Sequence, residues 1–448
     1  MRHRHHVMAI VVGIWALTAL LRPEIPAAGA PLACNSDFEG GSGVVESIDQ
    51  EARAIRITPT VHKDRGWVCW WYVRVSGMRP GETITLEVAS KFGAWAKPQR
   101  AAFSTDNRTW VHTAPGKREK ERIVYRQKVD APVAWFAWGP RFVPSDAENL
   151  LAETARKCPY AEKFELCRTR EGRPVPALRV CQPGDGKGDR ANLPGHRPDV
   201  GRGPKGASHK LAPSPFPPDD AARYGVWINA RQHAWETGSS WVSRGLIEWL
   251  VSDDPRAETL RKKSLVVVVP IMDVDNTFRG AGGKRQKPHD HNRDWCKEPH
   301  WPSVAAAIER IKGLDEQGRF DLYLDLHNPS PGDRQPFFFT APKDLLKEPG
   351  RANQERFLAA ARTEITGPLK LATRRIESGP KYDPLWKQIS NTWVAAHTRP
   401  HVVALCLETS WDTPHSTTEG YLAVGRQLGL AVERYFRENP RAVVQAKQ

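Results

Sequence analysis

Tyr224-Gly225-Val226-Trp227-Ile228-Asn229-Ala230-Arg231-Gln232-His233-Ala234-Trp235-Glu236 is the stretch that decides how this chain is read. Its first seven residues are strand-like. The segment Ser239–Val251 that follows is helical, with Trp241, Leu246, Trp249 and Leu250 on one broad face. The alternation continues downstream. Leu265–Val269 is a continuous apolar run suited to a strand buried on both faces. Ser303–Lys312 predicts a helix, Phe320–Leu326 another buried strand, Pro336–Ala341 a strand and Ala352–Thr366 a helix. Val402–Leu407 closes the series as a strand, followed by a helix from Thr418 to about Arg437. Such alternation predicts an α/β domain over residues 146–438, with a mostly parallel or mixed sheet flanked by helices.

Upstream the pattern changes. Residues 34–145 carry short alternating runs: Gly43–Ile48, Ala54–Ile57, Val68–Val75, Thr83–Val88, Ile123–Lys128 and Val133–Trp138. Turn signals such as Met78-Arg79-Pro80-Gly81 separate them, which predicts an antiparallel β-sandwich domain. Ser145 or Asp146 can cap a helix through about Cys158. Phe164–Arg168 and Ala177–Val180 then read as a hairpin around Glu171-Gly172-Arg173-Pro174. Residues 182–220 are rich in Gly, Pro and charge with no apolar period, the composition of a loop-rich insertion.

Ligands in open α/β sheets gather outside the carboxyl ends of the strands. Three predicted strands end there in capable residues: the first runs into His233 and Glu236, the second into His327, the third into Glu408. A catalytic zinc takes three protein ligands and keeps one position open. His233-x-x-Glu236 can converge on one ion if a helix begins at that point, and His327 can add the third ligand from a neighbouring strand. Glu408 is then free to act as general base. One zinc per chain is expected. Singly, a strand-end His or Glu is usually a hydrogen-bonded structural residue; the joint pattern carries the reading.

His233-x-x-Glu236, Asp290-His291-Asn292-Arg293-Asp294-Trp295, Leu324-Asp325-Leu326-His327 and Leu407-Glu408-Thr409 occur in the order of the zinc carboxypeptidases called funnelins. The chain most resembles their cytosolic-carboxypeptidase-like branch, in which a β-sandwich precedes the catalytic domain. Phe136-Ala137-Trp138-Gly139-Pro140 resembles the end of that sandwich. The resemblance implies that Asn292 and Arg293 grip the substrate's terminal carboxylate and that Asp290 orients a zinc-bound histidine. It also implies an arginine for the oxyanion and a tyrosine over the substrate. Arg285, in Gly282-Gly283-Lys284-Arg285, is the choice for the first, with Arg279 and Lys287 as alternatives; Tyr382 is the candidate for the second. The expected activity is removal of C-terminal residues from peptides or proteins. Two other readings remain open: a zinc amidohydrolase acting on acyl-amino acids or peptidoglycan stem peptides, and a non-catalytic binding protein on a peptidase fold.

Composition sets the remaining expectations. A net charge of +15 suits acidic partners, but the basic residues are dispersed and no nucleic-acid motif is present, so nucleic acid is not an expected partner. Arg2 to His6, the apolar run Val7–Leu21 and the small residues Ala27–Ala30 follow the order of a signal peptide over residues 1–30. They predict a protein exported to the periplasm or beyond the cell, without a stable membrane span. All seven cysteines lie beyond Ala30, so some are expected to pair in an oxidising compartment, with at least one left over. Seventeen tryptophans, several between Trp67 and Tyr72, are expected to pack mainly in the core. No Gly-x-Ser-x-Gly elbow supports a serine triad from Ser410, Asp412 and His415.

Overall fold

The computed structural model describes residues 30–182 and 224–440. The expected signal peptide therefore lies outside the described residues but for Ala30, and the expected insertion but for Gln182.

The N-terminal part builds two five-stranded sheets from β1 (Ala33–Asn35), β2 (Val44–Asp49), β3 (Ala54–Thr58), β4 (Tyr72–Ser76), β5 (Thr83–Ala89), β6 (Ala102–Ser104), β7 (Val111–His112), β8 (Lys117–Glu119), β9 (Arg122–Lys128) and β10 (Val133–Ala137). The strand orders are β1-β4-β10-β6-β7 and β2-β3-β5-β9-β8. Period-two burial explains the arrangement: in β5, Ile84, Leu86 and Val88 point inward between more exposed neighbours. The pairings are antiparallel, as expected of the sandwich, except that β3 and β5 run parallel. Val68–Trp71 is not strand. It precedes β4 as a turn, with the Trp70 and Trp71 indoles donating to the carbonyls of Gly40 and Ala96.

After α1 (Pro144–Lys157), an eight-stranded mixed sheet follows. Its strands are β11 (Ala161–Arg168), β12 (Pro174–Val180), β13 (Tyr224–Ala230), β14 (Ser264–Val269), β15 (Leu322–His327), β16 (Phe337–Thr340), β17 (Arg375–Glu377) and β18 (Val403–Glu408), in the order β11-β12-β14-β13-β15-β18-β16-β17. The central four are parallel. The residues of β13, β14 and β15 are all buried, as their unbroken apolar runs require. From β13 the chain passes to β14 on one side and later to β15 on the other. The switch in direction opens a crevice at the carboxyl ends of β13 and β15. Gln182, after β12, and Tyr224, which starts β13, both lie at the opposite edge.

Helices α2 (Thr237–Leu250), α3 (Pro255–Lys263), α4 (Val274–Arg279), α5 (Pro302–Glu316), α6 (Gly350–Glu364), α7 (Ser390–His397) and α8 (Thr418–Glu438) flank this sheet. Helix α2 crosses α8 at backbone contact. A Cβ on Gly245 would lie 2.2 Å from the Leu422 carbonyl oxygen, and one on Gly425 2.0 Å from that of Val242. Among the described residues no helix is long and apolar enough to cross a membrane. All seven cysteines are free, against the expectation that some pair.

Candidate active site

The site begins where β13 ends. Arg231 takes a left-handed backbone (φ 62°), which turns the chain off the sheet. Its buried guanidinium donates to the carbonyl oxygens of Ala234 and Phe142, pinning the loop to the end of the N-terminal domain. Burial pulls that guanidinium down to about 9, against the opposing charges of Glu236 and Asp273. The amide of Glu236 donates to the His233 carbonyl at 3.1 Å, and α2 starts at the next residue. The spacing of His233 and Glu236 is thus closed by a tight turn at the helix cap, one residue ahead of the helix itself.

The two carboxylate oxygens of Glu236 face two imidazoles. His233 Nδ1 lies 2.8 Å from Oε1, and His327 Nδ1 lies 2.6 Å from Oε2. All three side chains are buried, and their potential ligand atoms lie within 4.8 Å of one another. Burial pushes the Glu236 carboxyl up, but the charges and hydrogen bonds of His233 and His327 hold it well below the usual range. Two imidazole nitrogens and an ionised carboxylate aimed at one point form a donor set that fits zinc, with a position left open.

The far sides of both rings meet carboxylates. His233 Nε2 and Asp290 Oδ1 face each other across 3.7 Å, and each is buried with no hydrogen-bond partner. A movement of a few tenths of an ångström would join them. His327 Nε2 lies 2.9 Å from Asp325 Oδ2, whose residue sits two places earlier on the same face of β15. Asp325 also accepts from Gln232 Nε2 and from the Ser390 hydroxyl at the start of α7. None of Asp325, Gln232 and Ser390 was singled out from sequence. The signal for Asp325 was present, since a residue two before a strand-end histidine shares its face.

Glu408 ends β18 in register with His327 on β15. The residue is half-buried, while its Oε2 is shut off from solvent and unpartnered. Burial lifts its carboxyl to about 7, His327 pulling it down and Glu236 adding to the rise.

The remaining expected residues divide. Asn292 Nδ2 lies 3.1 Å from His327 Nε2, while its Oδ1 accepts from the Ser390 amide. Arg293 forms an ion pair with Asp383 at 3.0 Å and stands over the Tyr382 ring at 5.9 Å. Tyr382 is 44% exposed and packs on Phe339. Arg285 is exposed; its amide donates to Asp290 Oδ2 at 3.2 Å, and its guanidinium stands 5.9 Å from the centre of the Trp67 ring. Of the two alternatives to it, Arg279 is paired with Glu171 and Lys287 with Asp64. His291 is buried, stacks on Trp301 at 4.8 Å, and burial presses it down to about 3.

Aromatic packing links this edge to the N-terminal domain. Trp235, between His233 and Glu236, contacts Trp67, Trp95 and Trp138 at 6.3, 5.7 and 5.1 Å between ring centroids. The Thr237 hydroxyl donates to the Pro140 carbonyl. Beyond Glu408, Asp412 accepts from the Gln99 amide, and Trp411 packs 4.3 Å from Trp138.

Comparison with known proteins agrees with this architecture. The family model described as zinc carboxypeptidase matches residues 147–298, and that described as cytosolic carboxypeptidase N-terminal domain matches residues 34–138. The first match includes His233, Glu236, Asp290, Asn292 and Arg293 but ends before His327 and Glu408. Cytosolic carboxypeptidase 6 of Caenorhabditis elegans is 36% identical over 106 residues, 23% of this chain and 23% of that protein. Cytosolic carboxypeptidase 3 of Mus musculus is 31% identical over 119 residues, 26% of this chain and 12% of that protein. The matched stretch thus spans under a quarter of each relative. A metallo-carboxypeptidase from Burkholderia cenocepacia shares the fold, with a TM-score of 0.71 at 20% identity over 91% of this chain and 99% of that one. These findings overturn the expectation of export: the N-terminal domain is of the cytosolic carboxypeptidase type, and so are the relatives by name. The chain thus carries a zinc carboxypeptidase domain preceded by a domain of the cytosolic carboxypeptidase N-terminal type.

Proposed function

We propose that the chain is a zinc-dependent metallocarboxypeptidase that hydrolyses the C-terminal peptide bond of peptides or proteins. One observation carries the reading: His233, Glu236 and His327 converge beside the shielded, unpartnered Oε2 of Glu408 on the adjoining strand. His233, Glu236 and His327 hold the ion. Bound zinc supplies Lewis acidity, polarising the scissile carbonyl and acidifying a water. Glu408 takes the proton of the attacking water and passes it to the departing amine; a carboxyl near 7 suits both transfers. Asp290 and Asp325 orient the two imidazoles from behind.

Arg293 anchors the substrate's terminal carboxylate. Its guanidinium already holds a carboxylate, that of Asp383, which the substrate displaces. Asn292 braces His327 and the start of α7 beside it, and Tyr382 closes over the same spot.

The test is C-terminal trimming of a peptide library by the zinc-loaded full chain, read by mass spectrometry. Stepwise loss of single residues is expected from wild type and not from Glu408→Gln. Cleavage of acyl-amino acids without trimming would replace this reading with an amidohydrolase.

A further inference from the structure

Asn292 and Arg293 are presented by one short turn, His291–Arg293, reached through the irregular segment 281–290. Binding a planar carboxylate in a single geometry requires such a turn to be held by its surroundings. Gln286 holds it. Arg285 and Lys287 on either side are exposed, while Gln286 is buried between α4 and the turn. Its Oε1 accepts from Asn276 Nδ2 at 2.6 Å. Its Nε2 donates to Asp273 Oδ2 at 2.9 Å and lies 2.8 Å from His291 Nδ1. Asp273, which caps α4, accepts further from the amide and the side chain of Asn276 at 3.2 and 2.8 Å. The segment lies this close to Asp273 because residue 283 is glycine: its φ is 78°, and a Cβ there would stand 2.6 Å from Asp273 Oδ2. On the far side His291 stacks on Trp301, whose indole donates to the His289 carbonyl at 2.8 Å.

The N-terminal domain frames this clamp. Gly283 donates its amide to the Arg65 carbonyl and Lys287 to the Asp64 carbonyl, both at 2.9 Å, one on each side of Gln286. The Arg65 guanidinium reaches further in and donates to Asn276 Oδ1 at 3.1 Å. Contacts therefore run unbroken from Arg65 through Asn276 and Gln286 to His291, the neighbour of Asn292. This path bypasses His233, Glu236, His327 and Glu408.

We propose that Gln286 is a positioning residue for substrate binding: clamped between Asp273 and His291, and framed by Asp64 and Arg65, it sets the turn that offers Asn292 and Arg293 to the substrate's terminal carboxylate. The inference rests on the carboxypeptidase reading above. An amide suits the place because it donates to Asp273 and accepts from Asn276 at once. Removing it leaves buried donors and acceptors unpaired, so the turn must shift to find new partners. The N-terminal domain thereby governs affinity for the carboxyl end of the substrate, while metal binding and proton transfer stay with the sheet edge.

The test uses the zinc-loaded full chain and its Gln286→Met, Gln286→Glu, Asp273→Asn/Gln286→Glu, Arg65→Met and Glu171→Gln variants. It reads zinc per chain, thermal stability, and kcat and KM on a trimmed peptide. Gln286→Met is expected to raise KM about 10-fold or more, with kcat within about twofold and zinc content unchanged. Gln286→Glu, which sets a carboxylate against Asp273, moves KM the same way. The double variant exchanges donor and acceptor and brings KM back to within about threefold of wild type. Arg65→Met raises KM by about threefold, whereas Glu171→Gln at the same seam leaves it at the wild-type value. Should Gln286→Met not fold, the double variant against Gln286→Glu decides. An unmoved KM in the Gln286 variants, a fall in kcat or zinc content with KM held, or a double variant no better than Gln286→Glu overturns the assignment and leaves the carboxypeptidase reading standing. Wild type that trims no peptide sinks that reading, and this inference with it.

Discussion

The N-terminal sandwich and the carboxyl edge of the large sheet are both dense with tryptophan, yet they bury opposite chemistry. Inside the sandwich the buried set is Ile55, Ile57, Leu86, Val88 and Tyr125, while its acids, such as Glu82 and Glu87, pair with arginines nearer the surface. At the edge, Glu236, Asp273, Asp290, Asp325, His233, His291 and His327 are all buried within one small volume. Buried ionisable groups destabilise unless each finds a partner. Their concentration in one place marks where the fold gives up stability for chemistry. The sandwich supplies rigidity to that edge by packing Trp67, Trp95 and Trp138 around Trp235.

The comparison breaks first at Glu408. Glu408→Gln keeps shape and removes the proposed base, so kcat should fall by about 10³-fold or more while zinc content and thermal stability hold. A modest loss would show that the edge does not use this carboxylate. A packing change should act in the opposite sense. Gly425→Ala drives a methyl against the Val242 carbonyl and is expected to lower unfolding free energy by about 3 kcal/mol in urea denaturation. Because α2 carries Glu236 at its cap, zinc binding should weaken in the same variant.

Asp325→Asn tests the groups behind the proposed metal ligands. Loss of its charge should weaken zinc binding by about 10- to 100-fold in competition with a chelator. Unchanged affinity would reduce Asp325 to a structural acceptor for Gln232 and Ser390. The smallest effect is expected at the seam between the domains, where Arg65 of the sandwich joins Arg173 and Arg279 around Glu171. Burial raises the Glu171 carboxyl, but the three arginines bring it from 4.5 down to about 2. A folded value below the unfolded one stabilises at pH above about 4.5 and loses that contribution as pH falls toward about 2. Wild type should therefore exceed Glu171→Gln by about 1–2 kcal/mol near pH 7, a gap that closes through that window.

Much of the edge was legible because its signals are local. Leu265–Val269 and Phe320–Leu326 are unbroken apolar runs, and both became central strands. His233 and Glu236 lie three residues apart, so one turn joins them. What stayed hidden depends on distant segments. Asp383 reaches Arg293 from 90 residues away, and Lys284 meets Trp67 from the other domain. Helix α7, which delivers Ser390 to Asp325, has a polar start and little apolar period to announce it. The parallel pairing of β3 with β5 is a matter of connection, which alternation within a strand cannot reveal. The N-terminal charged and apolar run misled, because order and composition alone do not distinguish an export signal.

The central claim is that His233, Glu236 and His327 form the metal centre. Anomalous diffraction at the zinc edge from crystals of the zinc-loaded chain tests it most directly. The account predicts one ion at about 2.0–2.2 Å from Nδ1 of His233, Nδ1 of His327 and the Glu236 carboxylate, with Glu408 close but not bound. An ion held instead by Asp325, His327 and Cys406, the other buried group among the described residues whose ligand atoms converge, or no ion at all, would contradict it.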